Sequence, residues 1–164
     1  MLKLPTFKDL KMNIKALLWK YKPDTFKDFQ NKYQKQFCKS LGAYLIRNKL
    51  HTSDNFNEIY QIIFYYGFIN YKREQELYDF LTSKGFTVKV SNIKNDAIHG
   101  IDLIAVKNDI KMYIQVKPNN DLKESKNIIK LSRINGFLPV LCYKNSNKKW
   151  IFFNIFMKTE MLLF

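Results

Sequence analysis

The stretch from His99 to Pro118, HGIDLIAVKNDIKMYIQVKP, constrains the fold of this chain most, because two alternating apolar runs flank the tetrapeptide KNDI. A period of two is typical of β-strands, and an Asn-Asp pair at 108–109 suits a two-residue turn, since Asn tolerates the positive φ that such a turn requires. The sequence therefore predicts a β-hairpin. Its predicted register pairs Val106 with Lys111, Ile104 with Tyr113, and Asp102 with Gln115.

The same period sorts the side chains of the hairpin onto two faces. One predicted face is polar at its end, where it carries Asp102, Gln115 and Lys117. Carboxylate, amide and backbone carbonyl oxygens, the last from Val116, are the ligands that Mg²⁺ or Mn²⁺ prefers, and Lys117 would place a cation beside the metal. We therefore predict a divalent-metal site there. The other predicted face is apolar and packs on a helix; it consists of Ile101, Leu103, Ala105, Met112, Ile114 and Val116.

The chain is strongly basic, because 28 Lys and Arg residues against 14 Asp and Glu leave a formal net charge of +14. Residues 1–70 hold 12 basic and 5 acidic side chains and residues 71–164 hold 16 and 9, so each part carries +7. Such a charge attracts polyanions through its long-range field and through counterion release, and nucleic acid is the predicted partner. An AT-rich genome that favours Lys and Asn codons is an alternative source of the lysines, although it does not explain the shortage of acids.

The segments around the hairpin predict the order helix, three strands, helix, two strands. Residues 71–86, YKREQELYDFLTSKGF, have a helical pattern with Gly85 as its stop, and TVKVSN alternates as a strand. After the hairpin, residues 119–137 predict a helix with Asp121 and Glu124 as a capping box and Gly136 as its stop. LPVLCYK and KWIFFNIF predict the closing strands. The predicted class is α/β with a mixed sheet.

The first 70 residues predict a helical, basic extension that packs on a core formed by residues 71–164. A long amphipathic helix is expected behind an Asp24 cap, and a shorter one from Ser53 or Asp54 that Gly67 could end. The apolar stripe of the long helix suits a core or a contact between two copies of the chain. The stripe consists of Phe26, Phe29, Tyr33, Phe37, Leu41 and Leu45.

No apolar run approaches the roughly 18 residues that a membrane span needs, and no signal-peptide segment opens the sequence. We therefore expect no membrane partner and a location in the cytoplasm or another reducing compartment that contains DNA. Cys38 and Cys142 lack the spacing of a metal knuckle, so reduced core thiols are predicted.

An Asp in one strand, a hairpin, and then acid-x-Lys in the next strand resemble the PD-(D/E)xK nuclease superfamily, and here the two motifs stand as IDLIAV and IQVK. Ile101 occupies the Pro position and Gln115 replaces the second acid. A D…QxK pattern is similar to the Mrr-type restriction endonucleases and to intron-encoded homing endonucleases of this superfamily. The resemblance covers about residues 71–157 and implies a restriction-endonuclease-like core in the order α-β-β-β-α-β.

The helix before the sheet carries a further resemblance, because EQELYDFLTSKGF is similar to the first helix of archaeal Holliday-junction resolvases. In those enzymes a metal-site Glu stands three residues before a Leu and twelve before the Phe of a Gly-Phe pair. Glu74 has both spacings. On a helix, Glu74 lies about 50° from the centre of the apolar stripe and Glu76 about 110° away, so Glu74 is predicted to be the inward acid.

The resemblance implies metal-dependent hydrolysis of a DNA phosphodiester. Asp102, Gln115 and Glu74 would hold one or two ions, Mg²⁺ or Mn²⁺, and Lys117 would stabilise the charge that develops at phosphorus. His99 would be a phosphate contact or a polar residue at a strand start. A homodimer or higher oligomer is expected, because one active site that cuts both strands usually requires a second copy.

Two other functions remain open at this point. A non-catalytic nucleic-acid-binding protein on a nuclease fold would retain the basic surface and lose the metal. An RNA-processing endonuclease would differ in its substrate. Taken one at a time, Asp102, Gln115 and Lys117 could also be a strand-end acid satisfied by backbone amides, an edge polar residue and a surface lysine.

Overall fold

The computed structural model describes residues 2–92, 99–122 and 126–164. By its internal contacts the chain divides into two compact units, Met1–Lys72 and Arg73–Phe164. We refer to them as unit 1 and unit 2. The predicted packing of residues 1–70 on the core stays a prediction.

Unit 1 is helical, and its last helix continues into unit 2. The helices are α1 (Phe7–Leu10), α2 (Ile14–Tyr21), α3 (Phe26–Arg47), α4 (Ser53–Ile59), a π-helical segment (Tyr60–Tyr65) and α5 (Tyr66–Ser83).

Thr25, and not the predicted Asp24, caps α3, because its side-chain oxygen accepts a hydrogen bond of 3.1 Å from the Asp28 amide. The helix predicted to stop at Gly67 does not stop there, since α5 runs through that position. A Cβ at Gly67 would lie 3.2 Å from Cγ2 of Ile14, so this glycine allows two helices to approach closely and does not end one.

The aromatic stripe of α3 forms the core of unit 1. Phe29 and Phe37 are fully buried and their rings contact Phe64 at centroid distances of 4.5 and 4.9 Å. Burial of several aromatic side chains is the main stabilising term of a small helical unit. The stripe is therefore not available as a contact surface for a second copy of the chain, which corrects that interpretation. The rest of this core is Leu10, Met12, Ile14, Leu18, Leu41, Tyr44, Leu45, Ile59, Phe68 and Tyr71.

Unit 2 contains a six-stranded mixed sheet with the strands in sequence order. The pairs β1–β2, β2–β3, β4–β5 and β5–β6 are antiparallel, and β3–β4 is parallel. A parallel pair needs a crossover, which helix α6 provides. The elements are β1 (Thr87–Val90), β2 (Leu103–Lys107), β3 (Ile110–Val116), α6 (Lys126–Asn135), β4 (Leu138–Lys144), β5 (Trp150–Asn154) and β6 (Thr159–Glu160).

This order of elements confirms the predicted α/β class. From α5 to β4 the elements follow as helix, three strands, helix and strand, which is the predicted α-β-β-β-α-β order. Strand β6 is not among the predicted elements, because two residues are too short to show a period. Gly85 and Gly136 end their helices as predicted, with φ of 90° and 72° and with amide-to-carbonyl hydrogen bonds from Phe86 to Leu81 and from Phe137 to Ser132. Glu124 of the predicted capping box lies outside the described residues.

The two sheet faces are covered by different helices. Phe80 of α5 stacks near Phe152, at 6.4 Å between ring centroids, on one face. On the other face Ile128 of α6 packs with Tyr113 and Leu141, and the Asn135 side-chain amide donates a 2.8 Å hydrogen bond to the Tyr113 hydroxyl. Unit 2 is thus a helix–sheet–helix sandwich.

In the described part of the chain, the helices are all too short or too polar to cross a lipid bilayer.

Candidate active site

The hairpin has the predicted turn and register up to its last pair. Asn108 has φ of 53°, Lys107 pairs with Ile110, and Ile104 pairs with Tyr113. The side-chain chemistry of a two-residue turn therefore set the register correctly.

Beyond this ladder the predicted pairing of Asp102 with Gln115 is wrong. Leu103 is the register partner of Ile114, and the Asp102 amide also donates to the Ile114 carbonyl, at 2.8 Å. Two consecutive residues of one strand then oppose one residue of the other, as in a β-bulge. The bulge adds one residue to the β2 side, so the side chains before it change faces.

Ile101 shows this change of face. It was predicted on the face of Leu103, but it is fully buried in the cluster of Tyr113, Ile128 and Leu141, which is the face that α6 covers. The extra residue at Asp102 shifts the alternation by one position, and a shift of one position reverses the face. The other predicted members of the apolar face are buried, as expected: Leu103, Ala105, Met112, Ile114 and Val116.

The bulge holds the carboxylate of Asp102 against β3. Oδ2 of Asp102 accepts a hydrogen bond of 2.8 Å from the Val116 amide. The N–H and C=O of one strand residue point toward the same neighbouring strand, so the Val116 carbonyl is also directed to the Asp102 side. The Asp102 carboxylate and the Val116 carbonyl thus both lie at the end of the hairpin, where the metal site is predicted.

Cys142 is a neighbour of the site that the sequence pattern did not place there. It pairs with Val116 across the parallel β3–β4 ladder, and its carbonyl accepts from the Lys117 amide at 3.0 Å. Burial is the main cause that raises the pKa of the Cys142 thiol well above its usual value, and the negative charge of the Asp102 carboxylate adds to it. The thiol is therefore neutral at pH 7 and is a packing group, as predicted for a core cysteine.

Gln115 is buried, with 4% of its surface exposed. Within the described residues its Oε1 accepts no hydrogen bond. An amide oxygen buried in this way loses its hydration without compensation, so a cation or another donor at Oε1 would stabilise it. This orphaned oxygen is the feature of Gln115 that fits a ligand role.

Gly100 determines where the Gln115 amide can lie. Its φ is 69°, and a Cβ built on it would lie 2.8 Å from Nε2 of Gln115. The sequence signal was present, since an isolated glycine next to a strand often marks a close approach of the chain.

We expect Gly100→Ala to lower the free energy of unfolding by about 1 to 2 kcal/mol, because a left-handed φ strains a residue that has a Cβ. The added methyl group should also displace the Gln115 amide and reduce the activity of the site. Gly136→Ala is the matched control, since Gly136 has φ of 72° and nothing within 4 Å of a built Cβ. Thermal unfolding and activity assays of both variants separate the effect of backbone strain from the effect of the contact between the added methyl group and Gln115. Equal activity in the two variants would show that Gly100 has no role in positioning Gln115.

Glu74 and Glu76 point in different directions on α5. Glu74 is buried, with 7% of its surface exposed, whereas the Glu76 side chain is 56% exposed. The predicted orientation of the two acids is confirmed. Glu76 forms an ion pair with Lys144.

The other two predicted site residues are partly buried. Lys117 follows β3 directly, one residue after Val116, and its position is set by the hydrogen bond of its amide to β4. His99 precedes Gly100.

The candidate donors of unit 2 are all oxygens: the Asp102 carboxylate, the Val116 carbonyl, the Gln115 amide oxygen and the Glu74 carboxylate, which are hard donors that suit Mg²⁺ or Mn²⁺. Of these residues, the structure brings Asp102 and Val116 into direct contact. In the described ranges no three His, Cys, Asp or Glu side chains form a metal-binding group. Gln115 stands where a third acid would otherwise stand, so the candidate donor set consists of two carboxylates and two neutral oxygens.

No family model and no curated protein matches the chain. Among solved structures, one similar chain is Hjc, a Holliday junction resolvase from the archaeal hyperthermophile Archaeoglobus fulgidus. It is 19% identical, the match covers 54% of this chain and 82% of that chain, and the TM-score is 0.44.

Proposed function

We propose that the chain is a divalent-metal-dependent DNA endonuclease that hydrolyses phosphodiester bonds at the end of the β2–β3 hairpin. The observation that supports this most directly is the 2.8 Å hydrogen bond that holds the Asp102 carboxylate beside Val116, one residue before Lys117. The D…QxK pattern of the sequence and the net charge of +14 agree with a polyanionic substrate.

Each residue has a separate part in this proposal. Asp102 and Glu74 would hold the ion with their carboxylates, and the Val116 carbonyl and Gln115 amide oxygen would complete the protein ligands. The ion would supply charge neutralisation at the phosphate and would acidify the attacking water. The Lys117 ammonium would face the phosphate oxygens, where negative charge increases as the water attacks, and would stabilise that charge.

The test is incubation of the full chain with supercoiled plasmid, a synthetic four-way junction and single-stranded DNA, each with Mg²⁺, Mn²⁺ or EDTA. Cleavage that requires the metal supports the proposal, and the preferred substrate distinguishes restriction, homing and junction-resolving types. A matched RNA duplex tests the RNA-processing alternative. If none of the substrates is cut with either metal, the proposal is wrong.

Gln115→Glu should preserve or tighten the binding of Mn²⁺, because it adds a charged oxygen at the same side-chain length. Gln115→Ala should lower the cleavage rate about tenfold, equivalent to about 1.4 kcal/mol, through the loss of one ligand. Calorimetric titration of Mn²⁺ reads the first effect independently of activity. A fully active Ala variant would make Gln115 a bystander whose burial serves packing alone.

One observation favours the non-catalytic alternative. The bond from the Val116 amide to Asp102 also satisfies a strand-end amide, which is a sufficient structural reason for an acid at this position. A nucleic-acid-binding protein of this kind would bind DNA equally well with and without Mg²⁺. Titration of Mg²⁺ into the wild-type chain and into Asp102→Ala discriminates, because only a metal site loses affinity on that substitution.

A further inference from the structure

Helix α3 presents a row of lysines on the exposed side of unit 1. Lys32, Lys35 and Lys39 follow one another at three and four residues, and all three are exposed. At about 100° per residue they fall within a sector of about 60°, on the side opposite the fully buried Phe37. The row is therefore on the solvent face of the helix. We call it the α3 lysine row.

The charge of this row is not balanced by nearby acids in the sequence. No Asp or Glu occurs between Asp28 and Asp54, so beyond its first turn α3 carries only basic charges. Asp28 lies in the first turn, where an acid stabilises the positive end of the helix dipole. In the described part of the chain none of the three lysines forms an ion pair with a carboxylate.

One member of the row is held in place by an aromatic side chain. The Lys32 ammonium lies 4.4 Å from the ring centroid of Tyr21, and that ring packs edge-on against Tyr33 at 6.1 Å. A cation–π contact restricts a long flexible side chain and leaves its remaining N–H donors exposed. Lys32 thus loses less conformational entropy than a mobile lysine when an anion binds.

The length of the row matches a nucleic-acid strand. Seven residues separate Lys32 from Lys39, which is about 10.5 Å along a helix at 1.5 Å per residue. In duplex DNA each strand carries one phosphate per about 3.4 Å of the helix axis, so a row aligned with that axis extends past about three phosphates of one strand.

We propose that the α3 lysine row binds the sugar-phosphate backbone of DNA, as a surface of unit 1 that is additional to the hairpin site of unit 2. The proposal rests on the proposed function only in taking DNA as the substrate. Lysine acts on phosphate as a point charge and carries no base information, so this surface would hold DNA without reading its sequence.

The test is the salt dependence of DNA binding by the full chain in EDTA, where no cleavage occurs. The slope of log K against log salt is about −0.9 per neutralised phosphate. A triple Lys→Gln variant at Lys32, Lys35 and Lys39 should therefore reduce the slope by about two to three. A triple Lys→Arg variant retains the charge and should retain the slope. Circular dichroism and thermal unfolding verify that each variant is folded.

The matched control removes the same charge elsewhere. Lys148, Lys149 and Lys158 are exposed in turns of unit 2, and their triple Lys→Gln variant should change the slope by less than about one. Equal slopes in the two Gln variants would overturn the proposal. A difference seen with an RNA duplex but not with DNA would overturn the choice of DNA.

These outcomes are independent of catalysis. If the chain cuts no DNA but the two Gln variants differ in slope as expected, the result supports DNA binding by the α3 lysine row and contradicts the nuclease proposal. If the chain cuts DNA while both Gln variants have the same salt slope, the result contradicts DNA binding by the α3 lysine row and leaves the nuclease proposal standing.

Discussion

Asp102→Asn is expected to lower the rate of DNA cleavage on the order of a hundredfold or more while the protein remains as stable as the wild type. Asn retains an oxygen that can accept the 2.8 Å hydrogen bond from the Val116 amide, so the end of the hairpin should keep its structure. It removes the negative charge that a divalent ion needs. DNA affinity in EDTA should be unchanged or higher, because a charge that repels phosphate is lost.

Asp102→Ala separates the two roles of this side chain. It removes both the charge and the acceptor, and an amide left without its partner costs about 1 to 3 kcal/mol if it stays buried. A purely structural Asp102 would give a destabilised Ala variant and a fully active Asn variant. If Asp102 is a metal ligand, both the Ala and the Asn variant are inactive. Denaturant unfolding together with cleavage rates distinguishes the two cases.

Lys117→Ala belongs to the same prediction and should also abolish cleavage with DNA affinity nearly intact. The sheet should not change, because the bond to the Cys142 carbonyl comes from the Lys117 backbone amide. Lys111→Ala is the matched control, since Lys111 is an exposed lysine on β3, the strand that Lys117 directly follows. If Lys117→Ala cuts DNA at the wild-type rate, the site is misassigned.

The second large effect is expected at Glu74. Glu74→Gln should lower the cleavage rate at least tenfold, a loss of about 1.4 kcal/mol of transition-state stabilisation. Glu74 is the buried acid of α5, and Gln has nearly the same shape without the charge, so the variant tests the carboxylate as a ligand and leaves packing unchanged. Mn²⁺ affinity measured on the same protein should fall as well.

Glu76→Gln is the control for Glu74→Gln, two residues away on the same helix. It removes the exposed ion pair with Lys144, and such pairs contribute at most about 1 kcal/mol, so activity and stability should change little. The opposite ranking of the two variants, measured side by side, would refute a catalytic role for Glu74.

The sequence alone determined the features of this protein that depend on local chemistry. The α/β class and element order follow from hydrophobic periodicity, and the hairpin register from Ile104 to Tyr113 follows from the residues of the turn. Gly85 and Gly136 end helices because only a residue without Cβ adopts their positive φ without strain. Even the orientation of Glu74 came from the pattern, because one helix turn relates it to its apolar neighbours.

The tertiary structure decided the features that depend on residues distant in sequence. Gly67 lies inside a helix, where a Cβ would be 3.2 Å from Ile14 on another helix, and no local pattern contains that contact. Burial of the α3 stripe likewise required the facing ring of Phe64. At the site, the bulge moved Asp102 out of register with Gln115 and set its carboxylate on the Val116 amide. A period of two predicts alternation only while each residue has one partner, and an inserted residue is specified by the pairing of strands and not by either strand alone.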